Sequence, residues 1–350
     1  MRSIVSPADL PLPLLITGVS GVAGYNALPY FRARYPGQVI GIRQADNWRL
    51  IGPDIEICDA EDHARLSELF DKYQFRSVLD CAGNCALKSC ELDPAMAWRI
   101  NVEGVRNLLE VIADRDVRLV HLSIDLVFSG DESVQRSSDG HCERYPPDPV
   151  TVYGQTMAAA ERLIVAAEPT AATLRISLPM GPSFNGHAGA IDWIQSRFKK
   201  DRPATLYYDE IRTPTYTDCL NEVCEAVLAS ELRGIYHAGG PRRLSLFQIA
   251  QIVNRVGGYD PGLLKGCPRV DAGPMPPRAG DVSMNSGKLA AALGYDPIDP
   301  WPLEECWVPT DREWHFCRDG QSGSAELLHE VLYCNRRRPG ASRAASQGVA

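Results

Sequence analysis

The run Leu14-Leu-Ile-Thr-Gly18-Val-Ser-Gly21-Val-Ala-Gly24 constrains this chain more than any other stretch. An apolar, strand-like segment ends in glycines spaced three apart, and a helix-like segment follows. Glycines let the chain turn tightly and let backbone N–H groups approach an anion, to which the helix beyond presents its positive end. This order predicts a cradle for the pyrophosphate of a dinucleotide, with Gly18, Ser20, Gly21, Val22, Ala23 and Gly24 around it. The glycine pattern alone is weak; it gains force only if strands and helices go on alternating.

They do alternate. The segments Leu14–Thr17, Val39–Arg43, Ile55–Asp59, Ser77–Cys81 and Arg118–Ser123 read as short apolar strands, as parallel strands buried on both faces require. Between them, Asp62–Tyr73 carries Leu66, Leu69 and Phe70 at helical spacing, and Pro94–Asp114 carries Ile100, Val105, Leu108, Leu109 and Ile112. The alternation predicts an α/β fold, a Rossmann-type doubly wound parallel sheet with helices on both faces. From Pro179 onward proline and glycine become denser. Helical patterns at Ala188–Lys200, Thr217–Ser230, Ser245–Val256 and Ser286–Leu293 enclose short strands at Thr205–Tyr208 and Gly234–Ala238, which predicts a smaller mixed α/β substrate domain against the carboxyl end of the sheet. The expected layout is a cofactor domain over residues 1–178 and a substrate domain over 179–310, with parts of the chain crossing between them. An extension follows over 311–335, then a tail over 336–350 that is too basic and too poor in large apolar residues to order itself.

Bulk properties narrow the function. With 350 residues, 45% hydrophobic and 23% charged, the chain has the makeup of a soluble globular protein. A formal net charge of -8 argues against nucleic-acid binding, which needs clustered Lys and Arg. No apolar run approaches the ~20 residues of a membrane helix. The early apolar patch runs into the glycine turn instead of a cleavage site, so it reads as a strand and not a signal peptide. The eleven cysteines are scattered without CxxC pairs, which suggests reduced thiols in a cytoplasmic protein. Cys81, Cys85 and Cys90 lie close together, as do His315 and Cys317 near Cys306, but neither spacing fits a zinc site, and no metal is expected. The partner expected is a small molecule, and a homodimer is compatible with this class.

The second strand bears on the choice of dinucleotide. A carboxylate at its end would take the ribose hydroxyl of NAD, whereas an arginine accommodates the 2′-phosphate of NADP. This strand reads VIGIRQADNW, with Arg43 at the critical place and Asp46 the nearest acid. NADP(H) is favoured over NAD(H).

Several stretches, "CDAEDHARLSELF", "LDCAGNCALKSCELDPAMAWRINVEG", "HLSIDLVFSG", "RTPTYTDCL" and "PRAGDVSMNSGKLAAALGY", occur in the order and spacing of one known family. With the glycine turn they resemble the extended short-chain dehydrogenase/reductases, in the dTDP-4-dehydrorhamnose reductase-like branch. The resemblance runs from about residue 13 to residue 300. It implies that Asp59 and Ala60 lie at the adenine, and that Cys81, Ala82, Gly83, Asn101 and Ser177 lie along the cofactor. It also implies that Tyr153 exchanges a proton with the substrate oxygen while hydride moves to or from the nicotinamide.

The same comparison exposes departures. In the family a lysine one helical turn after the tyrosine holds the nicotinamide ribose and lowers the tyrosine pKa. Here that position is Met157, and none of the six lysines falls between Lys88 and Lys199. The family's strand-end hydroxyl is replaced by Ile124, the tyrosine two residues on by Leu126, and a later tryptophan against the sugar by Leu178. Ser123 is one residue off and would face the other way on a strand. Ser123 and Asp125 remain as candidate helpers of Tyr153. Arg212 and Arg278 are candidates for a substrate diphosphate, because a planar guanidinium suits phosphate oxygens. His237 reads as a satisfied strand histidine. Three functions stay open: an NADP-dependent oxidoreductase acting on a nucleotide-linked sugar or similar carbonyl compound, a dinucleotide-binding regulatory or scaffold subunit without hydride transfer, and a dehydratase or epimerase that recycles its cofactor in place.

Overall fold

The computed structural model describes residues 10–131, 139–186, 189–273, 275–316, 320 and 322–335. In chain order the strands are β1 (Leu14–Ile16), β2 (Val39–Arg43), β3 (Ile55–Ile57), β4 (Ser77–Asp80), β5 (Arg118–Ile124), β6 (Ala172–Ile176), β7 (Pro179–Met180), β8 (Ala204–Tyr207), β9 (Ile211–Arg212), β10 (Thr215–Tyr216), β11 (Gly234–Ala238), β12 (Leu244–Ser245) and β13 (Leu264–Cys267). The helices are α1 (Val22–Arg34), α2 (His63–Tyr73), α3 (Leu87–Leu92), α4 (Pro94–Trp98), α5 (Gly104–Ile112), α6 (Val152–Ala167), α7 (Ala190–Phe198), α8 (Thr217–Leu228), α9 (Leu246–Val256), α10 (Gly287–Leu293) and α11 (Ala325–Tyr333).

Seven strands form one parallel sheet in the order β11-β6-β5-β4-β1-β2-β3. From β1 the chain winds outward to β3, then returns to β4 and winds the other way. The reversal lies between β1 and β4, and such a sheet binds its ligand beyond the strand ends at that point. Two apolar layers bury the sheet. One joins Leu14, Ile16, Val120 and Leu174 to α1, α6 and α8; the other joins Leu15, Val78 and Leu119 to α2 and α5. Helix α1, which follows the glycine turn, is pinned to α8: the buried Glu225 carboxylate accepts from the Tyr30 and Tyr35 hydroxyls and from Arg34 Nε, each at 2.6 Å.

Two expectations need correction. The segment Gly234–Ala238 does not belong to the second lobe; as β11 it pairs with β6 and closes the main sheet, while α8 before it packs on α1. The helix expected over Pro94–Asp114 is interrupted by a wider turn at Arg99–Glu103. The extension is ordered around α11, whose Leu327, Leu328, Val331 and Leu332 are buried, with Trp301 Nε1 donating to the Leu332 carbonyl at 3.0 Å. The tail over 336–350 lies outside the described residues. The second lobe holds α7 and α9 with the short pairs β8–β13 and β9–β12, while α10 packs on β11 of the main sheet.

Candidate active site

The glycine turn is shaped by two glycines and left open by the third. Gly18 has φ +62, and a Cβ there would lie 2.4 Å from the Cys81 carbonyl oxygen. A Cβ on Gly24 would lie 2.5 Å from the carbonyl oxygen of Gly18. Neither position admits a side chain. A Cβ on Gly21 would meet only the Gly18 carbonyl oxygen, at 3.5 Å, and otherwise open space. Gly21 also caps α1 without any side-chain acceptor, so the first N–H groups of the helix are uncovered by side chains. Space and donors together fit an anionic group, with the helix dipole adding to the attraction.

A cavity of about 310 Å³ runs from this turn across the strand ends. Gly18, Ser20, Gly21, Arg43, Asp59, Ala60, Cys81, Ala82 and Gly83 line it, together with Thr17, Asn47, Asn84, Cys85 and Asn185, which sequence reasoning did not select. Its floor is a polar knot. Thr17 Oγ1 donates to Asp80 Oδ1 at 2.5 Å and accepts from the N–H groups of Cys81 and Ala82. Asp80 Oδ2 bonds His121 Nδ1 at 2.7 Å. Burial pushes the Asp80 carboxyl up, and the His121, Thr17 and Ala82 bonds more than reverse it, so Asp80 sits below its ordinary value. A hydroxyl immediately before the first glycine was the sequence signal for this knot.

At the end of β2, Arg43 turns into its own loop. Nε donates to the Leu50 carbonyl at 2.6 Å and Nη1 to the Gln44 and Ala45 carbonyls. Asp59 braces the same loop by accepting from Ala45 N–H at 2.9 Å. Asn47 Nδ2 ties the loop to Ser20 Oγ across the cavity mouth at 3.0 Å.

Tyr153 lies at the start of α6, where the Thr151 hydroxyl caps the helix by accepting from Gly154 N–H at 3.0 Å. A Cβ on Gly154 would fall 2.1 Å from the Leu126 carbonyl oxygen, so glycine there seats α6 against the end of β5. Met157 follows one turn later, and both side chains belong to the main apolar layer. Ile124 and Leu126 are buried in the same layer, with Leu178 packed against it. Burial, followed by the neighbouring Cys85, Asp125 and Cys90, pushes the Tyr153 phenol well above its ordinary value; Arg212 acts in the opposite direction.

Asn101, in the wide turn before α5, accepts from Asn84 N–H at 2.7 Å and donates to Thr156 Oγ1 at 2.9 Å, which ties the loop after β4 to α6. Ser123 does not face Tyr153. Its hydroxyl donates to Glu161 Oε1 at 2.6 Å within a buried pair in which Arg175 Nε and Nη2 bond both Glu161 oxygens. Alternation along β5 turns it to the opposite sheet face from Ile124, which removes it as a helper. His237 is satisfied by the His141 carbonyl at 3.0 Å, and burial and the adjacent Arg175 push it down to about 3.

Arg212 and Arg278 are not free for a diphosphate; both sit in one ionic chain. Asp125 accepts from Ser177 Oγ at 2.5 Å and from Arg212 Nε at 2.7 Å and Nη2. Arg212 Nη1 lies 3.7 Å from Glu210, whose other oxygen accepts from Arg278 Nε at 2.8 Å. Arg278 also lies over the Tyr207 ring at 4.7 Å. Ser177, expected along the cofactor, is instead held between Asp125 and Thr213 N–H. Glu210 was overlooked, although an acid two residues before Arg212 was visible. Among the described residues no group of three His, Cys, Asp or Glu side chains could hold a metal ion; Cys317 lies outside them. No helix among the described residues is long and apolar enough to cross a membrane.

The sheet order, the glycine cradle and the tyrosine at the head of α6 invite comparison with known proteins. The family model for the RmlD substrate binding domain matches residues 14–303. The chain belongs to this family. Among curated relatives, dTDP-4-keto-6-deoxy-D-glucose reductase of Streptomyces niveus is 24% identical over 292 residues, 82% of this chain and 93% of the relative. Methionine adenosyltransferase 2 subunit beta of Xenopus laevis is also 24% identical, over 249 residues, 67% of this chain and 69% of that one. Solved structures share the fold. dTDP-4-dehydrorhamnose reductase from Bacillus anthracis, in complex with NADP, superposes with a TM-score of 0.66 at 19% identity, covering 82% of this chain and 95% of that one. Thermus thermophilus UDP-glucose 4-epimerase, in complex with NAD, superposes with a TM-score of 0.69 at 23% identity, covering 81% and 93%.

Proposed function

We propose that the chain is an NAD(P)-dependent oxidoreductase that reduces a keto group on a nucleotide-linked sugar. The observation that carries this reading is the open Gly21 cradle at the head of α1, in the cavity that Gly18, Asp59, Ala60 and Cys81 also line. Membership of the family and the named activity of the Streptomyces relative set the reaction class.

A nicotinamide bound in the cavity supplies the hydride. The remaining steps belong to the chain. The uncapped N–H groups of α1 receive the pyrophosphate, and Asp59 and Ala60 border the adenosine end. The Tyr153 phenol, held protonated chiefly by burial, donates its proton to the carbonyl oxygen as charge builds there. A protonated phenol suits reduction. The reverse reaction needs the phenolate, which nothing on α6 stabilises, because Met157 carries no charge. We favour NADP(H) on the position of Arg43 at the end of β2; its Nε and Nη1 hold the loop and leave Nη2 for a 2′-phosphate.

The direct test follows absorbance at 340 nm with NADPH or NADH and a dTDP-4-keto-6-deoxy sugar. Cofactor oxidation that depends on the sugar is the expected result, faster with NADPH. No oxidation, in a protein whose melting temperature still rises with NADPH, favours the second reading, a dinucleotide-binding regulatory subunit. Met157, buried where the family places its lysine, and the likeness to a subunit of methionine adenosyltransferase support that alternative.

A further inference from the structure

A second cavity, of about 410 Å³, lies between α7 and α11. Its size is within the range of small-ligand pockets. From α7 it takes Asp192 and Gln195, with Lys199 and Lys200 just beyond the last helical residue. Positions 192, 195 and 199 fall on one helix face, so α7 turns a polar face toward this space. From α11 come Leu328, Leu332 and Tyr333, again one face but largely apolar, and Tyr259 adds a ring. Helix α11 lies beyond residues 14–303, which the family model matches. No residue lines both this cavity and the one at the glycine cradle.

The polar groups here are unequally committed. Asp192 Oδ2 accepts from Ser183 Oγ at 2.5 Å and from Gly189 N–H at 3.3 Å, so its charge is spent at the head of α7. The Lys199 and Lys200 ammonium groups have no ion-pair or hydrogen-bond partner among the described residues. Tyr333 Oη accepts from Gln195 Nε2 at 2.7 Å, which leaves its own proton to donate. Burial pushes that phenol up to about 12, so the proton stays. Lysines at a helix C-terminus ordinarily answer its dipole in water. These two instead share a cavity with a hydroxyl donor and an apolar wall.

We propose that this cavity binds a small phosphate monoester bearing an apolar group. Lys199 and Lys200 take the phosphate, Tyr333 donates to it, and Leu328, Leu332 and Tyr259 cover the apolar part. A phosphate monoester carries close to two negative charges at neutral pH, which matches two ammonium groups, whereas a carboxylate carries one. Lysine binds phosphate as a point charge and needs no fork geometry. The apolar part adds affinity by leaving water.

Saturation-transfer difference NMR with phenyl phosphate as the probe, in phosphate-free buffer, tests this on the full chain. Phenyl phosphate should bind the parent about fivefold or more tightly than benzoate. The double substitution Lys199→Ala with Lys200→Ala should weaken it by about tenfold or more, and Lys199→Arg with Lys200→Arg should keep it. Tyr333→Phe should weaken it by about threefold. Both lysines are exposed, so the melting temperature of the double alanine variant should match that of the parent. Absence of binding to the parent overturns the inference. So does equal affinity in the parent and the double alanine variant, which would place the probe elsewhere, as at the glycine cradle. Affinity that follows the lysines supports it, whether or not the protein turns over a sugar.

Discussion

The glycine cradle and the Tyr153 region are built from different materials. The cradle is backbone: Gly18 and Gly24 touch carbonyl oxygens, Gly21 faces open space, and Thr17 and Asp80 hold the strand tips. The Tyr153 region is side chain: one phenol, with Met157, Ile124, Leu126 and Leu178 in or against the same apolar layer, and a buried chain of charges shared by two lobes; none of them lines the cavity at the cradle. A backbone site fails at a single atom, whereas a charge chain fails as a unit. Ligand binding is therefore vulnerable to the smallest substitution in the one, and stability to the loss of a charge in the other.

The largest effect should come from Glu210→Ala. It leaves Arg212 and Arg278 without their shared carboxylate, and removing one partner of a buried pair costs about 3–5 kcal/mol, to be read as a drop in denaturation midpoint. An unchanged midpoint would show that the chain of charges is not structural. Next is Gly18→Ala, which puts a Cβ against the Cys81 carbonyl at a positive φ. It should cost about 2–3 kcal/mol and also remove cofactor binding.

His237 gives a pH signature on the charge-built side. Its folded pKa of about 3 lies below the ordinary 6.5. Its contribution is present above 6.5 and is lost as pH falls toward the folded value, because the unfolded chain takes up the proton first. Between pH 6.5 and 5 this removes up to about 2 kcal/mol. His237→Gln, which keeps a donor for the His141 carbonyl, should flatten the slope of melting temperature against pH over that window. An identical slope assigns the acid sensitivity elsewhere.

Gly21→Ala separates the two regions most cleanly. Its Cβ meets only one oxygen, at 3.5 Å, so the melting temperature of the free protein should barely change while dinucleotide affinity falls by about tenfold, or about 1.4 kcal/mol. The smallest effect is expected from Asn47→Ala, which releases the β2 loop from Ser20 and should weaken cofactor binding by only a few-fold, about 0.5–1 kcal/mol.

This contrast explains what was legible in the sequence. Glycine spacing and apolar alternation announce a backbone site and a parallel sheet, because both depend on local geometry. Met157, Ile124 and Leu126 were also legible, as residues of the wrong chemistry at family positions. The ionic chain was not, because Asp125, Glu210 and Arg278 meet only through tertiary packing between lobes; read singly, Arg212 and Arg278 look like phosphate ligands. Ser123 showed its outcome through strand alternation, which put it on the far face with Glu161. The return of Gly234–Ala238 to the main sheet was hidden for a similar reason. Its apolar run states that it is a buried strand, and only its pairing with β6 states in which sheet.

The central claim is that a dinucleotide cradle delivers its nicotinamide to a phenol that serves as the proton donor without a lysine. Single-turnover stopped-flow with Tyr153→Phe and a dTDP-4-keto-6-deoxy sugar tests it most directly. NADPH affinity should be unchanged, and hydride transfer should be at least about a hundredfold slower than in the parent. Equal rates in the two proteins would contradict it.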